Sequence, residues 1–107
     1  MSFFHQISDI PEKELFPGIL AKLVHTPGLT IGHIRLLEGA ILPEHHHFHE
    51  QVTNVLEGAL EMTIDGHTRV CLPGEVVTIP SNTPHSARAL KDCLVIDVFR
   101  PARDDYK

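Results

Sequence analysis

Apolar positions along this chain fall in short runs, several of which alternate with polar ones. Leu60-Glu61-Met62-Thr63-Ile64 and Val95-Ile96-Asp97-Val98-Phe99 show the pattern most clearly. A β-strand sends successive side chains to opposite faces, so such alternation marks strands with one buried face. Runs of this kind cover 19–24, 29–37, 51–56, 59–64, 68–72, 76–79 and 94–99. Turn-forming pairs separate them, among them Pro17-Gly18, Pro27-Gly28, Glu57-Gly58, Asp65-Gly66 and Pro73-Gly74. Short strands at this spacing predict an all-β sandwich or barrel of seven or eight strands. A jelly roll is the economical form, because two packed sheets hide most strand edges. Only residues 10–15 read as a possible helical turn.

With 107 residues and no linker, composition shift or low-complexity tract, residues 1–107 form a single domain. Hydrophobic residues at 42% and charged residues at 21% match a folded globular chain rather than a disordered one. The formal charge of −5, without a Lys/Arg run, leaves no electrostatic footprint for nucleic acid or an anionic membrane. No apolar stretch approaches the roughly 20 residues a membrane helix needs. The opening residues carry no basic stretch followed by an apolar run, so a signal peptide is not expected and a cytoplasmic location is. Cys71 and Cys93 form no CxxC pair; two buried thiols are the default, with a single disulfide left open.

Histidine departs from this ordinary picture. There are nine, and His45, His46, His47 and His49 crowd into one segment. In an extended strand His45 and His47 project from the same face and can aim two imidazoles at one point, while His46 faces away. Gln51 opens the next run and is placed to follow them. Glu50 sits one residue early and is expected on the opposite side. His49-Glu50 begins like a zincin motif, but Thr53 breaks it. His46 and His49 are expected to face solvent or to stand behind the ligands. A lone HxH also fits a solvated polar strand. The second histidine site, His85, lies downstream in a turn that Pro80 and Pro84 constrain.

These two segments resemble the two signature motifs of the cupin superfamily. Gly39, His45, His47 and Gly58 fall at the spacing of the first motif, with Gln51 where Glu is usual. Gly74, Pro80 and His85 fall at the spacing of the second, with Asn82 in place of a Gly and Ala89 in place of an Asn. The resemblance implies a double-stranded β-helix, a jelly-roll barrel whose inner face binds a metal through His45, His47, Gln51 and His85. Three imidazoles and an amide suit nickel, zinc, iron, cobalt or manganese. With every protein ligand neutral, the ion keeps its full charge, which favours an anionic substrate and Lewis-acid chemistry. Small cupins are commonly dimers, so a homodimer is expected.

Alternation in the last run puts Cys93, Val95, Asp97 and Phe99 on one face and Leu94, Ile96 and Val98 on the other. An aspartate within an apolar strand is costly unless it is paired or used. Phe99 reads as core or as a sugar platform, and Arg103 as a surface charge or an anion clamp. Within the cupins, the set His45, His47, Gln51, His85, Asp97, Phe99 and Arg103 is similar to that of KdgF-type pectin degradation proteins, which linearise 4,5-unsaturated uronates. That resemblance implies a small anionic sugar as substrate, Asp97 and Arg103 as catalytic groups, and Phe99 with Arg103 as the substrate contacts. A metal-dependent dioxygenase and a ligand-binding cupin without catalysis are the alternatives on the same scaffold.

Overall fold

The computed structural model describes residues 3–107. Its strands are β1 (Lys13–Phe16), β2 (Ile19–His25), β3 (Thr30–Leu36), β4 (Ile41–His45), β5 (Glu50–Glu57), β6 (Leu60–Ile64), β7 (His67–Cys71), β8 (Val76–Ile79), β9 (His85–Ala89) and β10 (Cys93–Arg100). Six of them pair antiparallel in the order β1-β2-β3-β10-β5-β8, and four in the order β4-β9-β6-β7. The two sheets close on each other around one core. Ile19, Ala21, Ile34, Val55 and Val95 from the first meet Leu60, Met62, Cys71, Ala87 and Ala89 from the second. This is the all-β jelly-roll barrel that the strand pattern predicts. No helix among the described residues is long and apolar enough to cross a membrane.

Two local expectations are corrected, and the default for the cysteines is met. Residues 10–15 do not form a helical turn: Lys13 and Glu14 pair with Ala21 and Leu20, making β1 the edge of the larger sheet. Leu15 packs against the core there, and a single 3₁₀ turn lies earlier, at Ile7–Asp9. Strands among the described residues number ten rather than seven or eight, because β1, β4 and β9 leave little apolar signal. In β9 the inward residues are His85, Ala87 and Ala89, two of them too small to mark a hydrophobic run. Finally, Cys71 and Cys93 are both buried and free, and burial raises both thiols above their ordinary pKa.

The strand β10 runs down the middle of the larger sheet between β3 and β5. Its alternation is as expected, with Cys93, Val95, Asp97 and Phe99 buried and the intervening residues half-buried. Because β5 runs antiparallel to it, Thr53 lies directly opposite Asp97, and Gln51 opposite Phe99. One end of the barrel thereby collects the polar residues, while the remainder of the interior stays apolar.

Two of the motif glycines differ in what holds them. Gly58 has φ +91°, and a Cβ there would lie 2.3 Å from the Asp92 carbonyl oxygen and 2.9 Å from the Cys93 Cα. Gly39 has φ +87° but nothing within 4 Å of such an atom. Gly39→Ala is expected to cost only the left-handed strain, about 1–2 kcal/mol. Gly58→Ala adds a clash with backbone that cannot move aside, and its unfolding midpoint in urea should fall well below that of Gly39→Ala. Equal midpoints would show that the backbone around Asp92 yields freely.

Candidate metal centre and active site

His45 ends β4 and pairs with His85, the first residue of β9. Gln51, near the start of β5, faces into the same end of the barrel and is buried. His47 does not continue β4 as an extended strand would require; β4 stops at His45, and His47 sits in the loop that follows. Hydrogen bonds fix that loop instead of a ladder. The Asn82 N–H donates to the His47 carbonyl at 2.8 Å, and the Ser81 hydroxyl to the Phe48 carbonyl at 2.6 Å. Asn82 takes φ +59°, the left-handed conformation that its short polar side chain tolerates and that a glycine would otherwise supply.

Each of the three rings has its Nδ1 beside a backbone carbonyl: Pro43 for His45 at 2.9 Å, His49 for His47 at 3.0 Å, and Thr83 for His85 at 2.8 Å. A neutral imidazole that donates from Nδ1 carries its lone pair on Nε2. The three rings offer ligand atoms that lie within 4.8 Å of one another. Gln51 adds Oε1, at 3.1 Å from the His47 Nε2. In the tautomer that donates from Nδ1 to the His49 carbonyl, His47 turns its Nε2 lone pair toward the Gln51 Oε1 with no proton between them. Nε2 of His85 is buried and has no hydrogen-bond partner. Burial, with Arg103 adding to it, holds His47 down at about pKa 4, and burial likewise lowers His85. Both rings stay neutral near pH 7, so protonation does not resolve the convergence. A divalent cation does, and three imidazole nitrogens with one amide oxygen fit such an ion.

The neighbours of these ligands sort clearly. Glu50 is exposed, turned away, and 3.7 Å from Arg100. His46 is exposed. His49 is buried behind His47, its ring centroid 4.1 Å from that of Phe48 and 5.5 Å from that of His47.

Asp97 is 8% exposed, and its carboxylate accepts a 2.6 Å hydrogen bond from the Thr53 hydroxyl. Burial raises its pKa to about 6, against the lowering effect of bonds from Thr53 and Gln51 and of the Arg103 charge. Phe99 is buried, its ring centroid 5.9 Å from that of His47. Arg103 is not a surface charge: its side chain is 6% exposed, with the guanidinium carbon 4.7 Å from the Phe99 centroid and 3.8 Å from that of Tyr106. Nε and one Nη bond to Asp105, at 3.0 and 2.8 Å. A cleft of about 370 Å³ between β1 and the C-terminal turn reaches both His45 and Arg103. The seven residues singled out from the sequence are thus drawn to one end of the barrel. Thr53, Asp105 and Tyr106 join them without having been singled out. Thr53 was legible in principle, since it lies two residues beyond Gln51 and so shares its face.

Comparison with known proteins agrees with this fold. Residues 32–99 match the Cupin domain family. The chain is 30% identical over 101 residues to pectin degradation protein KdgF of Dickeya dadantii (strain 3937), covering 92% of each. A shorter match, 42% identical over 53 residues, is to quercetin 2,3-dioxygenase of Bacillus subtilis (strain 168), of which it covers 15%. Among solved structures, KdgF from Halomonas sp. superposes with a TM-score of 0.92 at 35% identity, each chain covered in full. An RmlC-like cupin from Shewanella frigidimarina NCIMB 400 superposes at 0.94 with 26% identity, covering 100% of this chain and 97% of that one. The chain belongs to the cupin family and, within it, to the small cupins related to the pectin degradation protein KdgF.

Proposed function

We propose that this protein is an enzyme that opens the ring of 4,5-unsaturated uronates, the sugars released when pectin or alginate is cleaved by elimination. The observation that carries the reading is a buried carboxylate, Asp97, at the same end of the barrel as the converging donors of His45, His47, Gln51 and His85, with the Arg103 cation beside them. A divalent ion held by those four residues supplies Lewis acidity toward an oxygen that gains negative charge. Asp97 acts on protons. It takes the proton of the anomeric hydroxyl as the bond between C1 and the ring oxygen breaks, leaving an aldehyde and an enolate. It then returns that proton to C4, and the enolate becomes the keto form. Atoms and electrons balance, so nothing is oxidised. A carboxyl poised near pKa 6 is suited to both steps near neutral pH.

Arg103 recognises the substrate carboxylate. Asp105 occupies one edge of the guanidinium, and stacking between Phe99 and Tyr106 fixes its plane, leaving the remaining Nη donors for the sugar. Phe99 offers an apolar surface to the sugar face. The dioxygenase reading rests on a match covering 15% of that relative, and an anaerobic assay separates the two, because ring opening consumes no oxygen.

The outer face of the larger sheet supports a homodimer. Leu20, Val24, Ile31, Val52, Ile96 and Val98 line it, and Leu56 and Val76 are exposed at 44% and 56%. A two-fold contact through this face would cover them. Sedimentation should give twice the 11.9 kDa chain mass, and Val98→Glu should give one chain. A wild-type protein that sediments as one chain at micromolar concentration contradicts the dimer.

The metal-loaded protein should accelerate loss of the ring-alkene absorbance of unsaturated galacturonate, at the same rate with and without oxygen. Asp97→Asn should keep fold and metal content while turnover falls about 10²–10⁴-fold. A rate no faster than buffer removes the proposed activity, and an unchanged rate in Asp97→Asn removes Asp97 as the base. The same variant has a stability signature. The folded pKa of about 6 lies above the unfolded value near 4, so the stabilising contribution of Asp97 is full below about pH 4 and lost as pH rises through 6. Chelator-stripped Asp97→Asn should therefore exceed wild type by about 2–3 kcal/mol at pH 8, with no advantage at pH 4.

A further inference from the structure

Thr53 is 2% exposed, and its hydroxyl bonds to both Gln51 and Asp97, which also interact with each other. Its single proton goes to the Asp97 Oδ1, at 2.6 Å, because an ionised carboxylate can only accept. The hydroxyl oxygen is then free only to accept, and Gln51 Nε2 stands 3.0 Å away to donate. With the amide nitrogen committed to Thr53, Gln51 Oε1 must point the other way, toward the His47 Nε2 at 3.1 Å. The two bonds thus form a one-way chain, from amide to hydroxyl to carboxylate.

We propose that Thr53 is a positioning residue that orients Gln51 as an oxygen ligand by tying its amide nitrogen to Asp97, and that this tie is why the position holds glutamine. The inference rests on the reading of Gln51 as a metal ligand. A glutamate at position 51 has no proton to give Thr53, whose own proton is already used by Asp97. Two carboxylates would then share one hydroxyl proton in a buried site, the arrangement a low-dielectric interior penalises most. Alternation along β5 and β10 supplies the placement, since Gln51 and Thr53 share a face and Thr53 pairs with Asp97 across the ladder. Without Thr53 the amide nitrogen loses its 3.0 Å acceptor and keeps only its interaction with Asp97 to distinguish the two ends, and a donor nitrogen directed at the ion repels it.

The test uses zinc as the probe and affinity as the readout, by competition with a chromophoric chelator. Groups that orient a ligand typically contribute about 10–100-fold in metal affinity. Thr53→Val, equal in shape but without the hydroxyl, should lose affinity on that scale, and Thr53→Ser should recover to within about threefold of wild type. A structural role alone would lower the melting point of Thr53→Val and leave zinc affinity unchanged, and that result overturns the proposal. Should Thr53→Val fail to fold, NMR of zinc-loaded wild type decides. The Gln51 side-chain N–H protons should be protected from exchange and show a contact to a resolved Thr53 hydroxyl proton. A freely exchanging Gln51 amide overturns the orientation. Neither arm uses a sugar, so failure of uronate turnover would leave both results standing.

Discussion

The end of the barrel is organised around an electrostatic demand: His45, His47, His85 and Gln51 turn lone pairs toward one another inside a partly buried space. Acceptors without donors are costly in a protein interior, and each unpaired one forfeits about 1–3 kcal/mol. His47 and His85 do not escape by taking up protons, since burial and the Arg103 charge keep His47 neutral and burial keeps His85 so. Their Nδ1 atoms are already committed to the carbonyls of Pro43, His49 and Thr83. The three converging histidines could hold a cation, and Ser81 and Asn82 tie the loop that carries His47 to the turn that precedes His85.

The same end of the barrel holds a second unfavourable feature that belongs with the first. Asp97 is buried in the central strand β10, and the bonds from Thr53 and Gln51 do not offset its desolvation, so its charge is maintained at a cost to the fold. Arg103 offsets part of that cost from a position that two aromatic rings and Asp105 make rigid. A carboxylate and a guanidinium that do not bond to each other thus stand at the end of the barrel where the three histidines converge. The larger sheet tolerates this because its remaining inward residues, from Ile19 to Val95, are apolar and close-packed.

Much of this was legible from alternation and spacing. The period of two placed Asp97 and Phe99 on the inner face of β10, and the resemblance of the Gly39–Gly58 and Gly74–His85 segments to the cupin motifs implied the four candidate ligands that meet there. What escaped depends on contacts distant in sequence. That His47 leaves its strand, yet still reaches the site, follows from bonds to Asn82, thirty-five positions away in the chain. The burial of Arg103 follows from its backbone N–H bonding to Thr30 and from Phe99 and Tyr106 enclosing it. Strand β9 was hidden because alanine, its main inward residue, marks burial poorly. Thr53 was hidden by its ordinary appearance in a strand, where threonine is common.

The central claim, that the site is completed by a cation, is tested most directly by thermal unfolding of the chelator-stripped protein with and without zinc. An ion bound only by the folded chain stabilises it by about 2.7 kcal/mol at a hundredfold excess over its dissociation constant. For a chain of this size that is a rise in melting temperature of roughly 10 °C or more. The rise should vanish in His47→Ala combined with His85→Ala, which removes two of the converging lone pairs. A wild-type melting temperature unmoved by saturating zinc, nickel, cobalt, manganese or iron(II) would contradict the account.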